Sequence, residues 1–308
     1  MNRNCFSVIG NGNHSKRIQA ILKKKKVPYF VYKPERSKKY HDKEKFQSVL
    51  NSKGVFICTP NNSHFKYINL LKKKYIFCEK PPVTNKSHLD NLIKKKLRKI
   101  YFNYNYRFSA IGLFLKKLKK KKLGNLLYGS IISSKGLAYK KIYKNNWRSN
   151  KYKCKKGVFE LVSIHTIDLL NYYFGIKKIN FNYLNNLSKV GNSFDTSDCR
   201  VTLKDNGIVQ IFSTYCGPFE KKWDLIFQNG IIEINDNKII LRYPRNTFDN
   251  NGNFVKPTEK TKIIIKHKID YNNSLNESIK YFLNVVKKKK LFSTKDYLIS
   301  LDSNKMII

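Results

Sequence analysis

Short, almost wholly apolar runs alternate with amphipathic stretches along the first third of the chain. The apolar runs predict strands over residues 5–10, 29–32, 55–58, 75–78 and 99–103. Between them, apolar residues recur at helical spacing and predict helices over residues 16–25, 46–50, 64–73 and 89–97. Strands without a polar face, each followed by a helix, are typical of a parallel sheet that is covered on both sides.

The pattern changes after this first third. Helices are predicted from residue 110 to a closing glycine at Gly124, and over residues 158–174 and 274–287. Two turn signals, Asp205-Asn206-Gly207 and Asn229-Gly230, are each flanked by alternating apolar segments. Such signals are typical of β-hairpins, so we expect antiparallel strands in the later part of the chain.

The charge balance is strongly positive. The 308 residues include 63 Lys and Arg against 20 Asp and Glu, a net charge of +43. This favours a polyanionic partner. However, only nine of the 63 basic residues are arginines, and the rest are lysines. Lysine lacks the planar guanidinium group with which arginine recognises guanine. The lysine runs are dispersed and fall at predicted helix ends, where the helix dipole favours them. We therefore expect no nucleic-acid partner, and a steep salt dependence of binding would be the sign of one.

Other classes of protein are disfavoured by what the sequence lacks. No stretch approaches the roughly 20 apolar residues that span a bilayer, so we expect no membrane partner and a cytoplasmic location. The six cysteines form no C-x-x-C pair, so we expect free thiols and no metal site.

A glycine-containing segment joins the first predicted strand to the first helix. It reads Gly10-Asn11-Gly12-Asn13-His14-Ser15. Gly10 permits the tight turn, Gly12 lets a pyrophosphate approach the backbone at the helix N-terminus, and Ser15 is small enough for the third position. The segment predicts a dinucleotide site, although a tight turn without a ligand has the same pattern.

Together these patterns predict an α/β fold. We expect an N-terminal Rossmann dinucleotide-binding domain over residues 1–120. We expect a C-terminal α/β domain with an open, mostly antiparallel sheet over residues 121–308, serving substrate binding and oligomerisation.

The end of the second strand bears on the choice of cofactor. The acid that would bind the ribose 2′-hydroxyl is missing from its usual place, where the sequence reads Tyr32-Lys33-Pro34-Glu35-Arg36. Lys33 and Arg36 suit a 2′-phosphate, so we expect NADP(H) in preference to NAD(H). Glu35 leaves NAD(H) as the alternative cofactor. An ordinary surface lysine that binds no ligand explains Lys33 equally well.

Further segments resemble a known family. Thr59-Pro60-Asn61-Asn62-Ser63-His64 follows the third strand, and Glu79-Lys80-Pro81 follows the fourth. Asn105 to Phe108, Trp147-Arg148, and a segment from Gly157 through His165 and Asp168 to Gly175 come next. In this order and spacing, the chain resembles the Gfo/Idh/MocA oxidoreductases, relatives of glucose–fructose oxidoreductase and inositol dehydrogenase. The resemblance covers residues 5–175.

The resemblance implies which residues hold a nicotinamide cofactor. The segment from Gly10 to Ser15 would cradle the pyrophosphate, and Glu79 and Lys80 would reach the nicotinamide ribose. Trp147 and Arg148 would border the nicotinamide or an anionic part of the substrate. The adenosine side would be lined by Thr59, Pro60, Asn62 and His64, although His64 could equally cap its helix.

The resemblance also implies a reaction. A hydride would move between the cofactor and a secondary alcohol or ketone of a sugar, cyclitol or nucleotide-linked sugar. His165 would exchange the proton near neutral pH, and Lys80 would polarise the oxygen. Arg107 and Asp168 are candidate substrate contacts, but Asp168 is equally expected to be structural. We expect a small carbohydrate substrate and a homo-oligomer, either dimer or tetramer.

One departure from the family pattern weakens the expectation that the chain is catalytically active. The family often has an aspartate four residues before the histidine, where this chain has Leu161. Glu160 lies one position earlier, which rotates a side chain by about 100° on an α-helix. Either Glu160 substitutes imperfectly or His165 works without a carboxylate partner. The alternative function is a catalytically inactive, cofactor-binding regulator or scaffold.

Overall fold

The computed structural model of the chain describes residues 4–34, 43–118, 120–235, 237–245 and 247–308. Two compact units are present. The first comprises Met1–Asn105, Leu275–Met306 and Ile308, and the second comprises Tyr106–Ser274 and Ile307. The sequence placed one boundary near residue 120, whereas the chain divides after residue 105 and returns to the first unit at residue 275. The functional labels of the two domains stay predictions.

The described residues contain strands of four to ten residues. In chain order they are β1 (Phe6–Ile9), β2 (Tyr29–Tyr32), β3 (Gly54–Ile57), β4 (Tyr75–Glu79), β5 (Ile100–Asn103), β6 (Leu126–Ser134), β7 (Ile176–Asn185), β8 (Thr196–Leu203), β9 (Ile208–Thr214), β10 (Glu220–Phe227), β11 (Gly230–Asn235), β12 (Lys238–Arg242) and β13 (Glu259–Ile264).

The helices of the same residues vary more in length. In chain order they are α1 (Asn13–Lys24), α2 (Lys43–Asn51), α3 (His64–Leu70), α4 (Lys86–Lys95), α5 (Ala110–Lys117), α6 (Lys120–Leu123), α7 (Lys141–Lys144), α8 (Ile164–Tyr173), α9 (His267–Lys287) and α10 (Thr294–Lys305). A π-helical turn over Phe159–Ser163 leads directly into α8.

The first unit is built on a parallel sheet. Its strand order is β2-β1-β3-β4-β5, and each neighbouring pair runs in the same direction. The chain leaves β1 towards β2 and then crosses to β3 on the other side, so the strand order switches between β1 and β3. Open sheets of this order bind ligands beyond the strand ends at that switch point.

An aromatic cluster forms part of the core of this unit. Phe282 of α9 is fully buried, and its ring centroid lies 5.1 Å from that of Phe56 and 5.5 Å from that of Phe77. Phe6 and Phe292 lie 6.3 and 5.8 Å from the same ring. The C-terminal part of the chain therefore completes the core of the parallel sheet, and for this reason it belongs to the first unit.

The second unit is built on a larger sheet. Its order is β13-β12-β11-β10-β6-β9-β8-β7, in which β6 and β9 are parallel and the other neighbours are antiparallel. Both predicted hairpins are present, as β8–β9 and β10–β11. The α/β fold class, with a Rossmann-like sheet and an open, mostly antiparallel sheet, is confirmed.

One face of the larger sheet is covered by α8 and the π-helical turn. Trp223 and Leu225 of β10 are buried on this face, opposite Ile131 and Gly129 of β6. The hydroxyl of Ser163 in the π-helical turn donates to that of Ser213 of β9 at 2.8 Å. Ser213 pairs with Ser133, and Ser133 pairs with Lys221, so a polar row crosses the end of an otherwise apolar face.

Two predicted helices differ from the structure. The helix expected to run unbroken to Gly124 is interrupted at Leu118, whose backbone is extended. The helix expected over residues 158–174 contains the π-helical turn, which holds one more residue per hydrogen-bonded ring than an α-helix. Within the described ranges, no helix is both long enough and apolar enough to cross a bilayer.

Candidate functional site

The glycine segment lies at the C-terminal end of β1. Gly10 has φ +107°, and a Cβ there would stand 2.6 Å from the carbonyl oxygen of Cys58. The Ser15 hydroxyl donates to the Gly10 carbonyl at 2.8 Å and is fully buried. Glycine at position 10 is therefore required by the close approach of the segments that follow β1 and β3.

Gly12 differs from Gly10 because it has open space around it. Its φ is −76°, and a Cβ at this position would meet no atom of the described residues within 4 Å. Gly12 precedes α1 without a side-chain cap, and the first turn of α1 carries no acidic residue. Asn11, Gly12 and Asn13 are exposed. The space and the uncapped backbone N–H groups fit a pyrophosphate, which binds well at a helix N-terminus.

The segment after β3 combines exposed and buried residues. Pro60 and Asn62 are exposed, and Thr59 is half-buried. His64 is fully buried, with Nδ1 2.8 Å from the Pro81 carbonyl oxygen and Nε2 3.0 Å from the Thr59 carbonyl oxygen. Burial lowers the pKa of His64, and its hydrogen bonds to the two carbonyls oppose that shift. His64 thus joins the segment after β3 to the segment after β4, and its burial favours positioning over direct contact with adenosine.

Glu79, at the end of β4, belongs to a chain of hydrogen bonds. Its Oε1 accepts from His14 Nε2 at 2.7 Å and from Asn103 Nδ2 at 2.8 Å. Asn103 Oδ1 accepts from the Ser278 hydroxyl at 2.6 Å, and Ser278 lies 2.7 Å from the hydroxyl of Tyr101. These hydrogen bonds connect the first turn of α1 to the ends of β4 and β5 and to α9.

The electrostatics of Glu79 favour its ionised form. Burial raises the pKa of Glu79, but charge and hydrogen bonding from His14, the hydrogen bond from Asn103 and the charge of Lys80 outweigh it, so the pKa lies below its usual value. Lys80 follows at once, half-buried, and its peptide bond to Pro81 is cis. The ionised carboxylate therefore lies next to the lysine predicted to meet the substrate.

Lys33 lies directly after β2 and is exposed. Glu35 and Arg36, the other two residues on which the choice of cofactor was argued, lie outside the described residues. The expected preference for NADP(H) therefore stays a prediction carried by Lys33.

In the second unit, His165 lies in the first turn of α8. Its ring stacks on the ring of Tyr106, with centroids 4.2 Å apart and planes 17° from parallel. Lys221 Nζ lies 5.1 Å from the centroid of the same Tyr106 ring. Burial, followed by the charges of Tyr271 and Asp270, raises the pKa of Tyr106, so its hydroxyl stays neutral. Tyr106 is therefore a neighbour of the predicted proton-transfer group.

Arg107 and Asp168 bind each other. Arg107 Nε donates to Asp168 Oδ2 at 2.8 Å, and Nη2 donates to Oδ1 at 2.6 Å. Asp168 is fully buried, and the Arg107 guanidinium also lies 4.4 Å from the ring of Tyr172. A two-pronged, buried ion pair of this kind fixes both side chains. The structure thus favours a structural role for Asp168, and direct substrate contact stays a prediction.

Leu161 and Glu160 lie in the π-helical turn. Leu161 packs in an apolar cluster with Val158, Val162 and Tyr215. Glu160 is buried, and its Oε2 accepts from the backbone N–H of Lys156 at 3.1 Å. The Glu160 carboxylate thus meets the backbone that precedes the helix, whereas His165 lies further along it. Of the two sequence alternatives, this geometry favours a His165 that works without a carboxylate at either position.

Trp147 and Arg148 lie in a 3₁₀ turn and contact each other. The Arg148 guanidinium lies 4.6 Å from the Trp147 ring centroid and donates to Asn146 Oδ1 at 3.3 Å. Trp147 also lines a polar cavity of about 390 Å³. The rest of its lining is Lys144, Asn145, Asn146, Ser149, Asn150, Lys153, Gly191 and Asn192.

The structure brings the predicted residues together in groups. Gly10, Gly12, His14 and Ser15 lie in the segment that runs from the end of β1 into the first turn of α1. This segment approaches the segment after β3 at Gly10, and Glu79 joins it through His14. His165 and Tyr106 form a second group, and Arg107 with Asp168 a third. Sequence reasoning did not single out Asn103, Ser278, Tyr106 or Lys221. Only the place of Asn103, at the end of a parallel strand, was a usable signal. Over the described part of the chain, no three His, Cys, Asp or Glu side chains are placed to hold a metal ion.

Comparison with solved structures gives many matches over nearly the whole chain. Levoglucosan dehydrogenase in complex with NADH matches with a TM-score of 0.75 and 13% identity, covering 98% of this chain and 95% of that one. GenD2 from gentamicin A biosynthesis, in complex with NAD, matches with a TM-score of 0.74 and 13% identity over 99% and 93%. A myo-inositol dehydrogenase from Corynebacterium glutamicum matches with a TM-score of 0.69 and 14% identity over 97% and 94%.

The chain has the fold of these proteins. At identities this low, the likeness establishes the fold and nothing finer. No family model matches the sequence, and no curated protein matches it either.

Proposed function

We propose that this chain is a nicotinamide-dependent oxidoreductase of the Gfo/Idh/MocA type. The single observation that carries the proposal is the open glycine segment at the strand-order switch between β1 and β3. Gly12 leaves free space there, and the N-terminus of α1 has no side-chain cap. The neighbours that share the fold include one solved with NADH and one solved with NAD, which supports the same cofactor class.

We propose the following contacts for the cofactor. The backbone from Gly10 to Ser15 holds the pyrophosphate, and the exposed residues Pro60 and Asn62 line the adenosine. Glu79, ionised and fixed by His14 and Asn103, orients the ribose next to the nicotinamide. When bound, the cofactor would accept the hydride in oxidation and supply it in reduction, so the protein needs only to orient the reactants and handle the proton.

We propose that Lys80 and His165 both act on the reacting oxygen of the substrate. Lys80 donates a hydrogen bond to the substrate oxygen and stabilises negative charge that develops on it. His165 removes the hydroxyl proton in oxidation and returns it in reduction. The Tyr106 ring, stacked on the imidazole, limits the orientations that His165 can adopt.

The substrate class is a sugar, cyclitol or nucleotide-linked sugar with a secondary alcohol or ketone. Levoglucosan dehydrogenase and myo-inositol dehydrogenase share the fold, which supports this class. Two observations bear on the choice between NADP(H) and NAD(H). Lys33 favours NADP(H), whereas the NAD and NADH complexes of the neighbours favour NAD(H). We also propose that the chain forms a homo-oligomer.

The proposal is tested by replacing Gly12. In Gly12→Val the Cβ of the new side chain has no atom of the described part of the chain within 4 Å, so the fold should be kept. The same side chain occupies the path of the pyrophosphate, and we expect NADH and NADPH to bind at least about tenfold more weakly. Titration calorimetry with both cofactors measures this, and a tighter wild-type Kd for NADPH would support the role of Lys33.

Ala20→Val is the control, because it places the same valine side chain at an exposed position of α1, the helix that Gly12 precedes. It should bind both cofactors as the wild-type chain does. Equal binding by Gly12→Val and Ala20→Val would contradict the proposed pyrophosphate site. Tight cofactor binding without turnover of any sugar would favour the inactive regulator instead.

A further inference from the structure

A half-buried lysine stands at the end of the helix-covered face of the larger sheet. Lys135 follows β6 directly, and its backbone N–H donates to the Thr214 carbonyl at 3.0 Å, which continues the pairing of β6 with β9. Ser133 lies two residues earlier and pairs with Lys221 of β10. Because side chains alternate along a strand, Lys135 leaves the sheet on the same side as Ser133 and Lys221.

Lys221 is placed on that side by its own strand. It is two residues before Trp223, which is buried on the covered face, and one before Lys222, which is exposed. Lys135 and Lys221 are therefore diagonal neighbours at the polar end of the covered face. At such spacing, long side chains can reach each other.

The strongest influences on Lys135 all oppose its positive charge. Burial, followed by the charges of Lys221 and Arg148, lowers the pKa of Lys135 to about 8. Neither Lys135 nor Arg148 forms an ion pair with a carboxylate of the described residues. Partly desolvated cations that repel one another are costly to hold together, and a bound anion relieves that cost.

Lys221 is separated from the predicted proton-transfer group by one aromatic ring. Lys221 Nζ lies 5.1 Å from the Tyr106 ring centroid, and that ring stacks on His165 at 4.2 Å. Arg148 contacts Trp147, which lines the polar cavity of the same unit. An anion held by this cluster would therefore lie near the group that exchanges the substrate proton.

We propose that Lys135, Lys221 and Arg148 bind an oxyanion, a carboxylate or a phosphate, carried by the substrate. The inference rests on the proposed function, because it names the substrate class as an anionic sugar. A sugar acid supplies the carboxylate, and a sugar phosphate or nucleotide-linked sugar supplies the phosphate. Both offer several acceptor oxygens to three cationic donors, and charge-assisted hydrogen bonds of this kind are stronger than neutral ones.

The test measures binding directly, without turnover. Glucuronate, glucose 6-phosphate, glucose and inorganic phosphate are each titrated into the wild-type chain and into Lys135→Met and Lys221→Met, with and without NADH. We expect at least one anionic probe to bind the wild-type chain at least about tenfold more tightly than glucose. Each methionine variant should lose about tenfold of that affinity. Comparison of glucuronate with glucose 6-phosphate identifies the anion.

Lys222→Met is the matched control, because Lys222 is exposed on the opposite side of the same strand. It should bind the anionic probes as the wild-type chain does. We expect Lys135→Met to unfold at no lower temperature than the wild-type chain, because it removes a repelled charge. If it fails to fold, Lys221→Met and Arg148→Met carry the same test.

The outcomes separate this inference from the proposed function. Lysine-dependent anion binding in a chain that binds no NADH would keep the inference and remove the cofactor proposal. Gly12-dependent NADH binding in a chain that binds glucose as tightly as the anions would overturn the inference alone. Failure of every anionic probe to bind, or equal loss in Lys222→Met, would also overturn it.

Discussion

Single side chains at the end of β4 illustrate how the first unit prepares a charged group for function. Glu79 is buried, yet it stays ionised because His14 and Asn103 donate to one of its oxygens and Lys80 adds a positive charge. Asn103 is held in turn by Ser278 at 2.6 Å. The carboxylate therefore has a fixed position before a ligand binds, which lowers the entropic cost of binding.

The charge on Glu79 should contribute to stability. Because its pKa in the folded chain is below the usual value, the contribution is full above the pKa of the unfolded chain and is lost as the pH falls through the folded value. Glu79→Gln keeps an acceptor for His14 and Asn103 but removes the charge. We expect it to lower the free energy of unfolding at neutral pH by about 1 kcal/mol, the difference between a charged and a neutral hydrogen bond.

Denaturant unfolding of both proteins at successively lower pH checks this prediction. The difference between them should shrink as Glu79 becomes protonated in the wild-type chain. A difference that is independent of pH would show that the carboxylate charge is not what stabilises this site.

The sequence identified Glu79 and Lys80 but not what holds them. Asn103 is 24 positions after Glu79, and Ser278 is 175 positions after Asn103. Local sequence patterns do not predict contacts between residues so far apart in the sequence. These contacts depend on how α9 packs against the parallel sheet. Lys135 was missed for another reason: among so many lysines, only burial and its cationic neighbours distinguish it.

Helices and strands were predictable wherever they carried a regular apolar pattern. All five parallel strands and both hairpins matched, because unbroken apolar runs and Asn-Gly signals are local features. The strand β7 was missed, since seven of its ten residues are exposed and it shows no clear alternation. The π-helical turn was missed as well, because its extra residue leaves no mark in the composition of an apolar helix.

The packing of α9 against the parallel sheet gives a prediction for that element. Phe282 is fully buried among Phe6, Phe56 and Phe77. Phe282→Ala should leave a cavity and lower the free energy of unfolding by about 3–5 kcal/mol. Phe254→Ala is the control, because Phe254 is 88% exposed. Equal denaturation midpoints for the two variants would show that α9 adds little to the core of the first unit.

Over the whole molecule, the positive charge has more than one physical role. Most of the lysines that the structure describes are exposed. Lys135 is different, because it is half-buried and repelled by other cations. A net charge of +43 also attracts anions from a distance, an effect that salt screens. Low-salt affinities alone would therefore exaggerate any specific anion site.

The central claim is that this fold transfers a hydride with the help of Lys80. The measurement that tests it most directly follows deuterium from NADH, labelled at the carbon that donates the hydride, into the alcohol product of a panel of neutral and anionic keto sugars. Mass spectrometry of the product detects the label. Lys80→Met should still bind NADH and should transfer deuterium at least about a hundredfold more slowly than the wild-type chain. A wild-type chain that binds NADH but labels no product, or a Lys80→Met variant as fast as wild type, would contradict the account.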